Sequence, residues 1–131
     1  MTSPSIFTQI IRGEIPSHKV YEDDKTFAFL DINPTVEGHV LVVPKVEVEF
    51  LWDLTDEDYA ALMRTVKLLG MRLRTVFKVP YVGVKVMGTD VPHTHVHLLP
   101  FRSPAEYKSF TPLPGQSDHD ALANIAKKIR V

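Results

Sequence analysis

Cysteine is missing altogether from this chain of 131 residues. That absence excludes disulfides, thiolate metal ligands and thiol nucleophiles, so any chemistry falls to histidine, carboxylate or hydroxyl groups. No stretch reaches the roughly eighteen consecutive apolar residues of a membrane span, and the N-terminus lacks the basic-then-apolar pattern of a secretory signal. A cytoplasmic protein with no membrane partner is expected. An excess of one charge is missing too: 15 Lys and Arg face 16 Asp and Glu, for a net charge of -1. With no global field to attract a polyanion, no nucleic-acid partner is expected, and a small anion must be held by a local site. Internal repeats and low-complexity segments are also absent. What is present, 44% hydrophobic and 24% charged residues, matches one ordinary globular domain spanning 1–131.

Hydrophobic spacing divides the chain into helices and strands. Ser3-Pro4 ahead of Ile6, Phe7, Ile10 and Ile11, with Gly13 after them, predicts a short helix with Ser3 as N-cap, Pro4 in its first turn and a glycine stop. His18-Lys19-Val20-Tyr21-Glu22 and Thr26-Phe27-Ala28-Phe29-Leu30-Asp31 flank the polar Asp23-Asp24-Lys25 and read as a hairpin. Asn33-Pro34 and Glu37-Gly38 turn the chain. His39-Val40-Leu41-Val42-Val43, closed by Pro44, is a β-branched run suited to a central strand.

Thr55 ahead of Asp56, Glu57 and Asp58 is an N-cap with an acidic first turn. Tyr59, Leu62, Met63, Val66, Leu69, Leu73, Val76 and Phe77 then recur with helical period over about 20 residues. Val82–Met87 and Pro92–Pro100 read as two more strands joined by a Gly88-Thr89-Asp90 turn. Residues 101–116, with Pro104, Pro112, Pro114 and Gly115, predict an irregular connection. From Ser117 a last helix places Leu122, Ile125, Ala126 and Ile129 on one face. This order implies an α+β domain with a mainly antiparallel sheet.

The chemistry concentrates in Pro92-His93-Thr94-His95-Val96-His97-Leu98-Leu99-Pro100. On a strand, His93, His95 and His97 would project from one face with about 6.6 Å between neighbours. A lone strand histidine is most often a hydrogen-bonded polar residue, the reading given to His18 and His119. Three aligned rings would each need a separate buried partner. Two uses stay open on the residues alone. Two imidazoles and a third ligand could share a metal ion. Alternatively, one neutral imidazole could attack a phosphoryl centre while its other nitrogen donates a hydrogen bond that fixes the tautomer. Neighbouring rings would then stabilise or protonate the oxygens and the leaving group.

This segment resembles the histidine triad (HIT) family of nucleotide hydrolases and transferases, whose His-φ-His-φ-His-φ-φ signature, φ being apolar, it matches from His93 to Leu99 except at Thr94. Ser5-Ile6-Phe7-Thr8-Gln9-Ile10-Ile11-Arg12-Gly13-Glu14-Ile15-Pro16, Phe29-Leu30-Asp31-Ile32-Asn33-Pro34 and Gly38-His39-Val40-Leu41-Val42-Val43-Pro44-Lys45 follow the family's other landmarks in order. The likeness covers roughly residues 3 to 101. It implies a HIT-like fold, with a sheet of about five strands, one long helix, a short N-terminal helix, and a C-terminal helix at about 117–130 as an extension. It implies further that His95 attacks the α-phosphate of a nucleotide, that His93 and His97 are its partners, and that His39 completes the hydrogen-bonded cluster. Asp31 matches the acidic residue that binds ribose hydroxyls. Phe7, Ile10, Phe29 and Ile32 match apolar walls of the nucleoside pocket. Thr89 and Val91, beside the histidines, complete the substrate-binding set.

The chain departs from the family pattern in two places. Many members carry a Gly-Gln-Ser or Gly-Gln-Glu run, after an Asn-containing loop, that contacts phosphate or leaving group; here Met87 runs directly into Gly88-Thr89-Asp90. Thr89 can donate a hydroxyl hydrogen bond. An ionised Asp90 pointing inward would repel phosphate and is expected to turn away or bind neighbouring backbone. Some relatives bind structural zinc through a Cys-x-x-Cys pair, a histidine after Pro-Lys and a triad histidine. Ser5, Thr8 and Glu47 stand at those positions, so no metal and no cofactor is expected.

The implied function is a nucleotide-binding hydrolase or nucleotidyl transferase acting on purine nucleoside phosphoramidates and related nucleoside-phosphate-X substrates, as in the compact, Hint-like branch. Hydrolysis of dinucleoside polyphosphates, or nucleotide sensing with little turnover, are the alternatives. A homodimer through the long helix and the Val82–Met87 strand is the expected assembly.

Overall fold

The computed structural model describes residues 3–108 and 117–131. Its elements run α1 (Ile6–Ile11), β1 (Lys19–Glu22), β2 (Thr26–Leu30), β3 (Val40–Pro44), α2 (Asp56–Phe77), β4 (Tyr81–Lys85), β5 (Val96–Phe101), α3 (Pro104–Lys108) and α4 (His119–Ile129). The strands form one antiparallel sheet in the order β1-β2-β3-β5-β4, the α+β arrangement expected. No helix among the described residues is long and apolar enough to cross a membrane.

Strands β2 and β3 are buried along their whole length because both faces of the sheet are covered, which is why their sequences are apolar runs rather than alternations. One face carries Ala28, Leu30, Val40, Val42 and Leu98 against Leu62, Val66, Leu69 and Leu73 of α2 and Leu122, Ala126 and Ile129 of α4. The other carries Phe27, Phe29, Leu41 and Val43 against Phe7, Ile10 and Ile11 of α1. Leu41 stands opposite His97 in the β3–β5 ladder, and Lys85 stands opposite His97 in the β4–β5 ladder. Directly paired residues share a face, so His97 and Lys85 lie on the α1 side. Helix α2 begins as its sequence dictates: the Thr55 hydroxyl accepts the Asp58 N–H behind an acidic first turn, and Lys78 closes the helix in the left-handed region at φ 52°.

Several boundaries differ from the expectations, each for a visible reason. The N-cap of α1 is Ser5, not Ser3: the Ser5 hydroxyl accepts the Thr8 N–H, leaving Pro4 outside the helix. Helix α3 occupies part of the connection expected to be irregular. Its start is the same Ser-Pro signal, with the Ser103 hydroxyl accepting the Glu106 N–H ahead of Pro104. The rest of that expectation, with Pro112, Pro114 and Gly115, falls on residues outside those described. Helix α4 starts at His119, after an Asp118 cap, rather than at Ser117.

Strand β4 ends at Lys85, and β5 begins only at Val96 rather than at Pro92. The His93 N–H is spent on Val91 O at 2.8 Å, and Thr94 N–H reaches Val48 O at 2.7 Å. Thr94 also donates its hydroxyl to Val48 O at 2.8 Å. Those bonds divert the chain from the ladder and explain why a hydroxyl stands where the signature has an apolar residue.

Candidate active site

The last turn before β5 and the first residues of the strand place His93, His95 and His97 in one cluster, although only His97 lies on the strand. Phe7 of α1 packs edge-on against His95 at 4.9 Å and His93 at 5.9 Å between ring centroids, and the His95 and His97 rings are 5.2 Å apart. Their hydrogen bonds fix each tautomer. His95 Nδ1 is 2.8 Å from the His93 carbonyl oxygen, which can only accept, so Nδ1 carries a proton and, in the neutral ring, Nε2 carries the lone pair. Nε2 has no hydrogen-bond partner, and the residue is 1% exposed. An unprotonated, unpartnered ring nitrogen is the form a nucleophile requires.

His97 is oriented by a relay that starts in the β2–β3 loop. The Thr35 N–H donates to His39 Nδ1 at 3.2 Å, so the His39 proton lies on Nε2, from which it is donated to His97 Nδ1 at 2.8 Å. His97 therefore carries its own proton on Nε2, a donor for a phosphoryl oxygen. This pattern needs both rings neutral. Burial, aided by the charge of Lys85, holds His39 down at about 4, and burial followed by the neighbouring His39 and His95 holds His97 down at about 4.

His93 does not face the cluster with a free nitrogen. Its Nε2 donates to Pro44 O at 2.8 Å, and its Nδ1 accepts the Ser5 hydroxyl at 2.8 Å. Burial keeps this ring below its ordinary value as well. Glu47 Oε1 in turn accepts the Ser5 N–H at 2.7 Å and the Thr8 hydroxyl at 2.6 Å. The three residues that replace a zinc-ligand set thus bond one another and His93. His93 contributes to the site chiefly through its carbonyl, locked by the anchored ring.

Asp31, at the end of β2, turns Oδ1 to the Asn33 N–H at 2.8 Å and brings Oδ2 within 3.6 Å of His39 Nε2. Burial pushes its carboxyl up, opposed by the Asn33 N–H. Asp31, His39 and His97 hold ligand atoms within 4.8 Å of one another. A cation there would have to displace the proton shared by the two imidazoles.

Phe7 and Phe29 are buried and packed edge-on at 5.5 Å, with Ile10 and Val91 against them. Ile32 stands apart, largely exposed. It lines a cavity of about 240 Å³ between the 32–39 loop and α4 that includes His39 but not Phe7, Ile10 or Phe29. Thr89 is exposed in the loop before the histidines.

Two features go beyond the sequence reading. Asp90 does bind neighbouring backbone, accepting the Val91 N–H at 3.1 Å, but it does not turn away: the same Oδ1 lies 3.3 Å from His95 Nε2. The two atoms are not aligned as a hydrogen bond, and the contact becomes an ion pair only when the ring is protonated. Lys85 was missed. It faces the site opposite His97, and its charge bears on both His39 and His97. Strand alternation was the available signal, since Val82 packs into the α2 side and Lys85 must point the other way.

Comparisons with known proteins bear on the family and the fold. The model of the HIT domain family matches residues 12–103. An uncharacterized HIT-like protein of Borreliella burgdorferi is 39% identical over 102 residues, covering 72% of this chain and 73% of its own length. The adenosine 5'-monophosphoramidase HNT1 of Saccharomyces cerevisiae is 36% identical over 126 residues, covering 95% of this chain and 79% of its own. The crystal structure of a HIT-like protein from Bartonella henselae superposes with a TM-score of 0.81 at 32% identity, over 96% of this chain and 94% of that one.

Proposed function

Because the chain belongs to the HIT domain family of nucleotide-binding hydrolases, we propose that it cleaves purine nucleoside phosphoramidates, and related nucleoside-phosphate-X compounds, through a nucleotidyl-histidine formed on His95. The observation that carries this reading is the tautomer of His95: its Nδ1–H is held by a carbonyl and its Nε2 lone pair is free. In the first step that lone pair forms a bond to the α-phosphorus while the bond from phosphorus to the leaving nitrogen breaks. The bonding electrons go to that nitrogen, which takes a proton from solvent and departs as an amine. Water then attacks the nucleotidyl-histidine and loses a proton, releasing the nucleoside monophosphate and restoring the neutral ring.

The remaining residues bind and orient. His97 Nε2–H donates to a non-bridging oxygen as charge develops, with its orientation set by His39. Asp31 accepts ribose hydroxyls, and Phe7, Ile10 and Phe29 wall the nucleoside, with Val91 behind them. Ile32 and Thr89 cover it from the rim. The phosphoramidate class is supported by the activity named for the yeast relative. A homodimer in the cytoplasm belongs to the same reading, supported by β4, an edge strand that exposes Tyr81 and Val84.

Incubation with adenosine 5'-phosphoramidate tests the proposal. The native chain is expected to release AMP and, in an acid-free quench, to carry one adenylyl group. His95→Ala should lose both while still binding AMP. Equal background release by the two proteins would instead leave a nucleotide sensor, and abolition by a chelator would point to a bound metal.

A further inference from the structure

Resting on that reading, the geometry points to Asp90 as the residue that selects the leaving group, favouring a departing amine that carries positive charge over one that is anionic. Asp90 Oδ1 is 3.3 Å from the nitrogen assigned to attack, and its side chain is 66% exposed while that of His95 is 1% exposed. The carboxylate therefore stands at the mouth, between the nucleophile and solvent. It is held there from both sides. Gly88, at φ 77°, turns the chain toward the histidines, a conformation that suits glycine. After Asp90, Val91 packs against the Phe7 cluster, and its carbonyl accepts the His93 N–H. A phosphoryl group can push the carboxylate aside by side-chain rotation, but it cannot remove the residue from the rim.

The distances then set what the carboxylate meets. Reacting atoms approach to about 3–3.5 Å, so the leaving atom, one bond beyond phosphorus, stands about 5 Å from His95 Nε2. Asp90 is anchored within that radius. The groups that can balance the phosphoryl oxygens, His97 Nε2–H and Lys85, lie on β5 and β4. Among the described residues no lysine or arginine forms an ion pair with Asp90; its near neighbours are the His95 ring and the Asp31 carboxyl, which its charge pushes up. Its charge is left for the incoming molecule. Carboxylate and phosphoryl oxygens repel, and a cationic amine on the substrate offsets that repulsion, whereas an anionic departing group adds to it. At separations of about 6 Å, in a half-solvated site, each unit of charge on the departing group changes the rate constant roughly tenfold. The carboxylate acts through its field and as a hydrogen-bond acceptor, and forms no bond to the substrate.

Three adenosine phosphoramidates built on one alkylamine framework provide the test: one with a distal ammonium, one neutral and one with a distal carboxylate. Measured as kcat/KM at neutral pH, the native chain should rank them ammonium, neutral, carboxylate, with roughly tenfold between steps and a spread that narrows in high salt. In Asp90→Asn the spread should collapse to within about threefold. Asp90→Ser serves if the first variant does not accumulate. Ratios between substrates on one preparation are independent of how much of it is folded. A flat series on the native chain, or a steep one that survives both substitutions, overturns the assignment of Asp90 while brisk turnover of the neutral compound leaves the hydrolase reading standing. Failure to hydrolyse the neutral compound at all brings down that reading, and this one with it.

Discussion

Lowering the pH from 7 to 5 should weaken the fold through the buried Thr35–His39–His97 relay. Both imidazoles are held at about 4 in the folded chain, against an ordinary value of 6.5. An unfolded chain takes up protons near 6.5 and the folded chain not until about 4, so between those values the unfolded state binds more protons. The stability these rings contribute is thus fully present above about 6.5 and is lost as the pH falls toward 4. For one imidazole the loss between pH 7 and pH 5 comes to about 2 kcal/mol. With both rings held at about 4 the pair loses about 4 kcal/mol, and about 2 kcal/mol if the folded pair, sharing one N–H···N bond, already accepts one proton near 6.5. Urea unfolding at pH 7, 6 and 5 measures this directly, with the His39→Asn/His97→Asn variant as the reference lacking both groups. Its loss over the same interval should be smaller by that amount. An equal loss in both proteins would refute the burial argument, and with it the neutral relay on which the His97 donor depends.

Ser5→Ala removes both the α1 N-cap and the hydroxyl that His93 Nδ1 accepts, so chemical denaturation should show a loss of about 1–3 kcal/mol. Gly38→Ala puts a Cβ at φ 88° and 2.7 Å from the Phe77 ring; about 2 kcal/mol of destabilisation is expected in thermal unfolding, because the ring must move and the backbone is strained. Val84→Glu places a charge on the exposed face of the β4 edge, and sedimentation should show the proposed dimer for the native chain and a monomer for the variant, whereas a dimer in both would exclude that edge as the interface.

Much of the framework was legible because its signals are local. Thr55 and the acidic turn after it mark the start of α2, and the unbroken apolar runs of β2 and β3 mark strands covered on both sides. The triad signature and its accompanying landmarks indicated which histidines would meet. What escaped the sequence depends on partners far along the chain. Glu47 and His93 favour Ser5 over Ser3 as the cap, and both come from distant segments. Val48 delays β5 by capturing Thr94. The position of Asp90 follows from the path of one loop over His95, and that of Lys85 from the register of β4 on β5. Charge and alternation hinted at each, but neither is a distance.

The group that decides which nitrogen of His95 is bare is a peptide oxygen. No codon change can delete a carbonyl, so inherited variation has no single-residue route to the wrong tautomer by removing its acceptor. It can act only indirectly, by loosening the ring of residue 93 from Ser5 and Pro44 and letting the loop drift. On the proposed mechanism, drift in these tethers would erode turnover by degrees, whereas exchange of His95 itself would end it at once.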